Sequence, residues 1–468
     1  MLFSSIPFLY YFLPAVLILY FVVPKCLKNA VLLLSSLFFY YWGEPEYVKL
    51  MAASILAGYV LGLLIGWFRE KKPVLAKLCM VLSVAISLGL LGYFKYADFF
   101  IANFNAATGL SLPLLKIALP IGISFYTFQL LSYTIDVYRG HVSAQKNPIT
   151  LGAYITMFPQ LIAGPIVRYG DVAAQLKERT CSFDKAALGI RRFVLGLAKK
   201  VIVANGLGEL VALFGASDDK SVLFYWLYAV AFALQIYFDF SGYSDMAIGL
   251  GKIFGFDFME NFNYPYISAS ITEFWRRWHI SLGVWFRDYV YIPLGGNRVK
   301  KGRWFFNIFV VWFLTGFWHG AAWNFIVWGL YFALFLLVEK LWLLPKLEKN
   351  RVLSHVYVVF FVVISFVIFN AASMGEAAVY LKAMFGFGGV PAVSAEAIYY
   401  LKSYAVLLLA AAIGATPLAA KGISALKKSA VGEKEVNLLE GVVLLILLLV
   451  VTAYLVDGSF NPFLYFRF

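Results

Sequence analysis

A residue able to take a proton at neutral pH lies where the surrounding chain has almost no polarity. His319 sits in Phe313-Leu314-Thr315-Gly316-Phe317-Trp318-His319-Gly320-Ala321-Ala322-Trp323, between the apolar runs 304–318 and 321–338. An ionisable side chain at bilayer depth is costly, so it marks a pathway or a reaction centre when it faces a polar cavity. The ordinary imidazole pKa of about 6.5 suits His319 to general-base work, the bland alternative being a hydrogen bond to a neighbouring helix. A second histidine, His279, falls in the segment 271–296, which is dense in Trp and Arg. At a period of 3.6, Trp275, Trp278, His279, Leu282, Trp285 and Phe286 share one helix face, with Glu273, Arg276, Arg277 and Ser281 on others. That pattern fits a helix at the membrane interface or along a polar vestibule, and a purely anchoring role leaves His279 unexplained. Upstream, Asp239 and Asp245 interrupt an apolar run that also carries Gln235, Tyr237, Ser241, Tyr243 and Ser244. Acids at that depth need partners, and Arg276 or Arg277 are the expected ones. Such a cluster serves an enzyme or a proton-coupled transporter equally well.

These residues must be positioned by membrane helices. The chain is 62% hydrophobic and 14% charged, well below the roughly 25% charge of soluble domains. Its length gives room for roughly 10 to 13 crossings of about 20 residues each, and the alternating strands of a barrel are absent. Candidate spans are 7–23, 29–43, 48–68, 74–93, 113–135, 149–166, 187–214, 222–250, 304–318, 320–339, 353–373, 403–420 and 439–457. The first reads as a retained span rather than a removed signal peptide. Basic connections such as Lys25–Lys28, Arg69–Lys77, Arg298–Arg303, Lys340–Arg351 and Lys421–Lys434 read as cytoplasmic, which accounts for the net charge of +14 without nucleic acid. The net-acidic loops Gly43–Glu46 and Met374–Ala397 fit the other side, so both termini are expected outside, while charge alone does not place 168–200. Three scattered cysteines, Cys26, Cys79 and Cys181, have no metal-ligand spacing, and no metal is expected. A climb through 304–318 and a descent toward Lys340 put His319 at the tip of a hairpin inside the bilayer, with Gly316 and Gly320 permitting close approach. No internal repeat of the kind common in transporters is visible.

Read in order, Tyr237–Asp245, Asn261–Tyr266, Glu273–Leu282, Arg287–Arg298 and Trp318–Ala321 form a series, joined by Met157–Pro165 upstream and Phe460–Phe468 at the end. This series resembles the membrane-bound O-acyltransferase (MBOAT) family, in the branch of the alginate O-acetyltransferase membrane subunit and the teichoic acid D-alanyl transfer protein. The likeness covers most of 1–330 and returns at the C-terminus; 340–450 is less distinctive. The resemblance implies an all-α polytopic integral membrane protein, a ring of roughly 11–13 tilted transmembrane and re-entrant helices around a thinned centre with a funnel. It implies one acyltransferase domain over 1–468: N-terminal helices 1–220, a catalytic core 221–340 and C-terminal helices 341–468. The implied activity moves an acetyl group from a cytoplasmic thioester, acetyl-CoA, across a bacterial plasma membrane for O-acetylation of an exported polysaccharide such as alginate. An extracytoplasmic serine-esterase-like acetyltransferase is the implied partner, with membrane lipid around the chain and no bound cofactor. His319 matches the family's intramembrane histidine, as general base or as acylated nucleophile. His279 matches its second functional histidine, orienting the acceptor or assisting proton transfer. Arg276 or Arg277 is expected to bind donor phosphates or polymer carboxylates, an interfacial anchoring role being the alternative for both. Asp239 and Asp245 are expected to hold a polar network, and Ser241, Tyr243, Trp275, Trp278, Trp318 and Asn324 to join in lining the substrate path. D-alanyl or longer acyl transfer to an envelope polymer or lipid, and proton-coupled export of a polysaccharide or lipid, are the competing readings.

Overall fold

The computed structural model describes residues 2–429, 432–458 and 464, so the expected terminal motif Phe460–Phe468 lies, apart from Leu464, outside the described residues. All regular structure among the described residues is helical. Among the described residues, six helices are long and apolar enough to cross a membrane: Val48–Lys71, Pro73–Thr108, Val222–Ile253, Trp323–Leu347, Arg351–Asn370 and Glu433–Val456. A seventh crossing arises if Ala395–Ser403 and Ala405–Gly414, bent by 56° to each other, form one broken span. Several expected spans therefore take another form. The stretch 113–135 becomes regular only at Ile123, and 149–166 divides into Pro148–Thr156 and Phe158–Leu161. Pro159 accounts for part of that division, since its ring and missing N–H stop the preceding helix from continuing.

The chain groups into two compact units, residues 1–193 with 246–259, and residues 194–245 with 260–468. In the first, Val48–Lys71 packs closely on Ile123–Arg139. A Cβ added at Gly58 would come within 2.5 Å of the Leu130 side chain, and one at Gly62 within 2.7 Å of the Tyr133 ring. Phe3, Phe8, Phe12, Phe39 and Phe158 pack together with ring centroids 4.8–6.4 Å apart, and Ser36 Oγ accepts the Phe158 N–H at 3.0 Å. A polar hub lies in the same unit. Arg179 donates from Nε to the Tyr20 hydroxyl at 2.7 Å and from Nη1 to Asn29 Oδ1 at 2.8 Å.

The second unit carries both histidines of interest. Its core is aromatic and aliphatic, with Phe232, Phe274, Trp278, Trp328, Phe332, Val362, Phe366 and Phe369 buried together. Here the His319 hairpin forms as the sequence indicates: Lys301–His319 rises, Gly320 breaks the helix, and Trp323–Val338 returns. At about 1.5 Å per residue the first arm is roughly 28 Å long.

Candidate active site

The two arms of the hairpin are close enough that only glycine fits between them. A Cβ on Gly316 would stand 2.3 Å from the Phe325 carbonyl oxygen, and one on Gly329 2.3 Å from that of Trp312. Gly320 would drive a Cβ into the Phe325 ring at 2.2 Å. This contact fixes the last turn of the first arm, and with it His319, which is 7% exposed. Aromatic faces surround the imidazole, with centroids at 5.0 Å for Trp318, 5.0 Å for Trp328 and 5.4 Å for Phe369. His319 lines a small cavity of about 20 Å³ together with Asp239, Phe240, Trp278, Trp328 and Phe369. Asn324 does not offer its amide to this cavity: Nδ2 donates to the carbonyls of Phe369 at 3.1 Å and Ala371 at 3.0 Å. It fastens the start of the return arm to the end of Arg351–Asn370 and so positions Phe369.

The two intramembrane acids are paired, though not with Arg276 or Arg277. Lys200 Nζ lies 2.6 Å from Asp239 Oδ1, with both side chains nearly inaccessible, and Lys199 Nζ lies 2.7 Å from Asp245 Oδ2. Lys200 also donates to Asn205 Oδ1 at 2.9 Å, and Asp239 Oδ2 accepts the Leu464 N–H at 3.3 Å. The physical reason is a close helix crossing. Gly242 leaves room for the Gly196 carbonyl, 2.7 Å from where its Cβ would stand, and the following turn, Lys199–Ala204, brings two consecutive lysines to the acids. Ser241 and Tyr243 lie buried on the same stretch. Arg277 instead pairs with Glu273 at 2.8 Å and donates to the Asn263 carbonyl at 3.1 Å, while Arg276 is exposed. Neither arginine meets the acids assigned to it from the sequence.

Around His279 the expected single helix is broken. Ile271–Arg277 ends, Trp278 is extended, and Ile280–Phe286 begins after His279, which takes a left-handed conformation with φ 45°. A non-glycine residue rarely adopts that conformation, so the surroundings must hold it there. Two buried groups with no role assigned from the sequence fasten the short helices on either side of it. The Glu339 carboxylate caps the start of Ile271–Arg277, accepting from Ile271 N at 2.6 Å, Thr272 N at 2.8 Å and Thr272 Oγ1 at 2.7 Å. Asn261 accepts the Ile280 N–H on its carbonyl at 3.0 Å and the Ser281 N–H on its side chain at 3.2 Å. Despite the break, Trp275, His279, Leu282 and Phe286 still converge. They line a cavity of about 190 Å³ with Arg287, Tyr291, Thr315 and Lys340 among its other walls. Trp278 turns the other way, into the His319 cavity. His279 is 1% exposed, and burial pushes its imidazole well below the ordinary histidine pKa, so the ring is a neutral base. Trp318 stands beside both histidines, its ring 6.0 Å from His279 and 5.0 Å from His319.

No group of three or more His, Cys, Asp or Glu side chains among the described residues is placed to hold a metal ion. Two buried imidazoles thus flank one tryptophan within the second compact unit. The family model for the membrane-bound O-acyltransferase family matches residues 141–374. The probable alginate O-acetylase AlgI of Azotobacter vinelandii is 44% identical over 393 residues, covering 83% of this chain and 79% of that protein. The peptidoglycan O-acetyltransferase of Helicobacter pylori is 35% identical over 428 residues, covering 83% of this chain and 81% of its own. The teichoic acid D-alanyltransferase of Bacillus subtilis is 31% identical over 270 residues, 53% of this chain and 68% of its own. The chain belongs to the MBOAT family, and it is a multi-pass membrane O-acyltransferase.

Proposed function

We propose that this enzyme takes an acetyl group from a cytoplasmic thioester of the acetyl-CoA kind and passes it across the bacterial plasma membrane for O-acetylation of an exported polysaccharide such as alginate. The observation that carries this reading is the arrangement of His279 and His319, both buried, on either side of Trp318. Similarity to alginate and peptidoglycan O-acetylating proteins supports a polymer as the final acceptor. The cavity beside His279 is on the scale of a short acyl group with the end of its thiol carrier, which favours acetyl over a fatty chain. Its cationic walls, Arg287 and Lys340, suit an anionic carrier. The exposed Arg276 joins them only as an outer contact.

In this mechanism an acceptor hydroxyl oxygen attacks the thioester carbonyl carbon and the carbon–sulfur bond breaks. The hydroxyl proton passes to the imidazole of His319, and the carrier leaves as its thiol once it is reprotonated. A positioned base of this kind contributes about 10²- to 10⁴-fold. The first acceptor on the outer side is an extracytoplasmic serine-esterase-like partner, which delivers the acetyl group to the polymer. The direct test is the acetyl-ester content of exported polysaccharide from cells carrying wild-type or His319→Ala protein at matched membrane levels. Loss of ester with polymer output unchanged is expected. Unchanged ester with less total polymer would replace this reading by export.

A further inference from the structure

Asn261 stands between His279 and the helix that follows it, and its amide orientation is fixed from both ends. The residue is fully buried. The Ser281 backbone N–H, which can only donate, meets Oδ1 at 3.2 Å, and Ser281 Oγ lies 2.9 Å from the same oxygen. At the other end Nδ2 donates to Ser244 Oγ at 3.0 Å. Reversing the amide would set an NH₂ group against a backbone N–H, so Oδ1 faces Ser281. His279 Nδ1 lies 3.1 Å from that same Oδ1. An amide oxygen has no hydrogen to give, so in the neutral ring Nδ1 carries the proton and Nε2 the lone pair. Nε2 is buried and has no hydrogen-bond partner among the described residues.

We infer that Asn261 is a positioning residue that holds His279 in the Nδ1–H tautomer, making Nε2 the basic nitrogen available to the reaction. This rests on the reading of His279 as part of the acyl-transfer centre. The same asparagine holds the ring and, through its carbonyl, the strained main chain at His279, so orientation and tautomer are set together. The other groups around the ring do neither. Phe240 and Trp318 present aromatic rings at 4.7 and 6.0 Å, while Arg287 and Lys340 line the same cavity as cations.

A plain helix-capping role for Asn261 makes a different set of predictions. Membrane vesicles supplied with radiolabelled acetyl-CoA, with label counted in polymer across the neutral pH range, separate the two. Asn261→Ala, Asn261→Asp, His279→Ala and the double alanine variant are compared at matched abundance. Asn261→Ala is expected to lower transfer at least about tenfold, part of what a positioned base supplies. Asn261→Asp keeps an acceptor for Nδ1–H and for the Ser281 N–H, so it should recover transfer relative to Asn261→Ala. Its carboxylate favours the imidazolium, so the acid limb of the pH profile should move to higher pH. In the His279→Ala background, Asn261→Ala should cost nothing further. Transfer by Asn261→Ala within about twofold of wild type would overturn the inference, as would an undiminished effect of Asn261→Ala once His279 is gone. Should Asn261→Ala fail to reach the membrane, Asn261→Asp decides alone: a displaced acid limb supports the tautomer role, an unmoved one rejects it. A fully active His279→Ala would overturn the inference together with the reading beneath it, and is recognisable because it leaves His319→Ala inactive.

Discussion

At the scale of single residues, the Lys200–Asp239 pair tests how far burial dictates behaviour. Both side chains are almost completely enclosed and 2.6 Å apart, and Asp239 lines the His319 cavity. Removing one partner strands the other charge in a dry interior, a loss of about 3–5 kcal/mol. Lys200→Met or Asp239→Leu alone should therefore lower the amount of folded protein and its melting temperature in detergent. The double variant Lys200→Met/Asp239→Leu should regain most of that stability, because two apolar side chains of similar volume leave no orphan charge. A double variant no more stable than the worse single one would show that the pair is needed for more than mutual neutralisation. The acids were visible in the sequence as interruptions of an apolar run, but their partners were not. Lys199 and Lys200 sit in a stretch whose many basic residues gave charge counting nothing to place. Only the close approach at Gly242 decides which of them meet Asp239 and Asp245. The role of Asn261 was hidden for a similar reason, since its partners His279 and Ser244 lie 18 and 17 positions away.

At the scale of elements, the hairpin ending in His319 was legible because two apolar runs flank a glycine-bracketed turn. The segment around His279 was not. Its helical periodicity is real over each half, yet the left-handed main chain at His279 breaks it, and nothing in a histidine announces that conformation. Glu339 closes the candidate span 320–339 and carried no role in the sequence, whereas the structure buries it against the start of Ile271–Arg277, where it caps the first backbone N–H groups. Glu339→Ala should destabilise the protein by about 1–2 kcal/mol, the usual loss on removing a helix cap. It should also reduce transfer, since that short helix carries Trp275 toward the His279 cavity; Glu339→Gln, retaining one acceptor oxygen, should fall between. Wild-type activity and melting temperature in Glu339→Ala would deny the cap any part in placing the site. Gly316→Ala belongs to the same scale. Its Cβ meets a backbone oxygen that cannot rotate away, so the arms must separate, at about 1–3 kcal/mol for overpacking. The expected result is a lower melting temperature together with loss of transfer, because His319 rides on the displaced arm.

At the scale of the whole molecule, the question is which chemical groups the acyl group can visit on its way through. A thiol would be the natural relay for a thioester, since exchange between sulfurs conserves the bond energy. Of the three cysteines, Cys26 is exposed on the turn before Lys28–Gly43, Cys79 lies in the helix after Pro73, and Cys181 approaches the turn at Gly255. All three belong to the first compact unit, whereas the cavities beside His279 and His319 are lined by residues of the second. In the mechanism proposed above, transfer rests on imidazole, and the thiol of the reaction is the carrier's own. The variant Cys26→Ser/Cys79→Ser/Cys181→Ser should accordingly reach the membrane and acetylate polymer at close to the wild-type rate, and it should remain active after treatment with a thiol-alkylating reagent. Loss of ester in that variant at normal abundance would require a covalent stop on sulfur, and would move the first step of transfer away from His279 and His319 into the N-terminal unit.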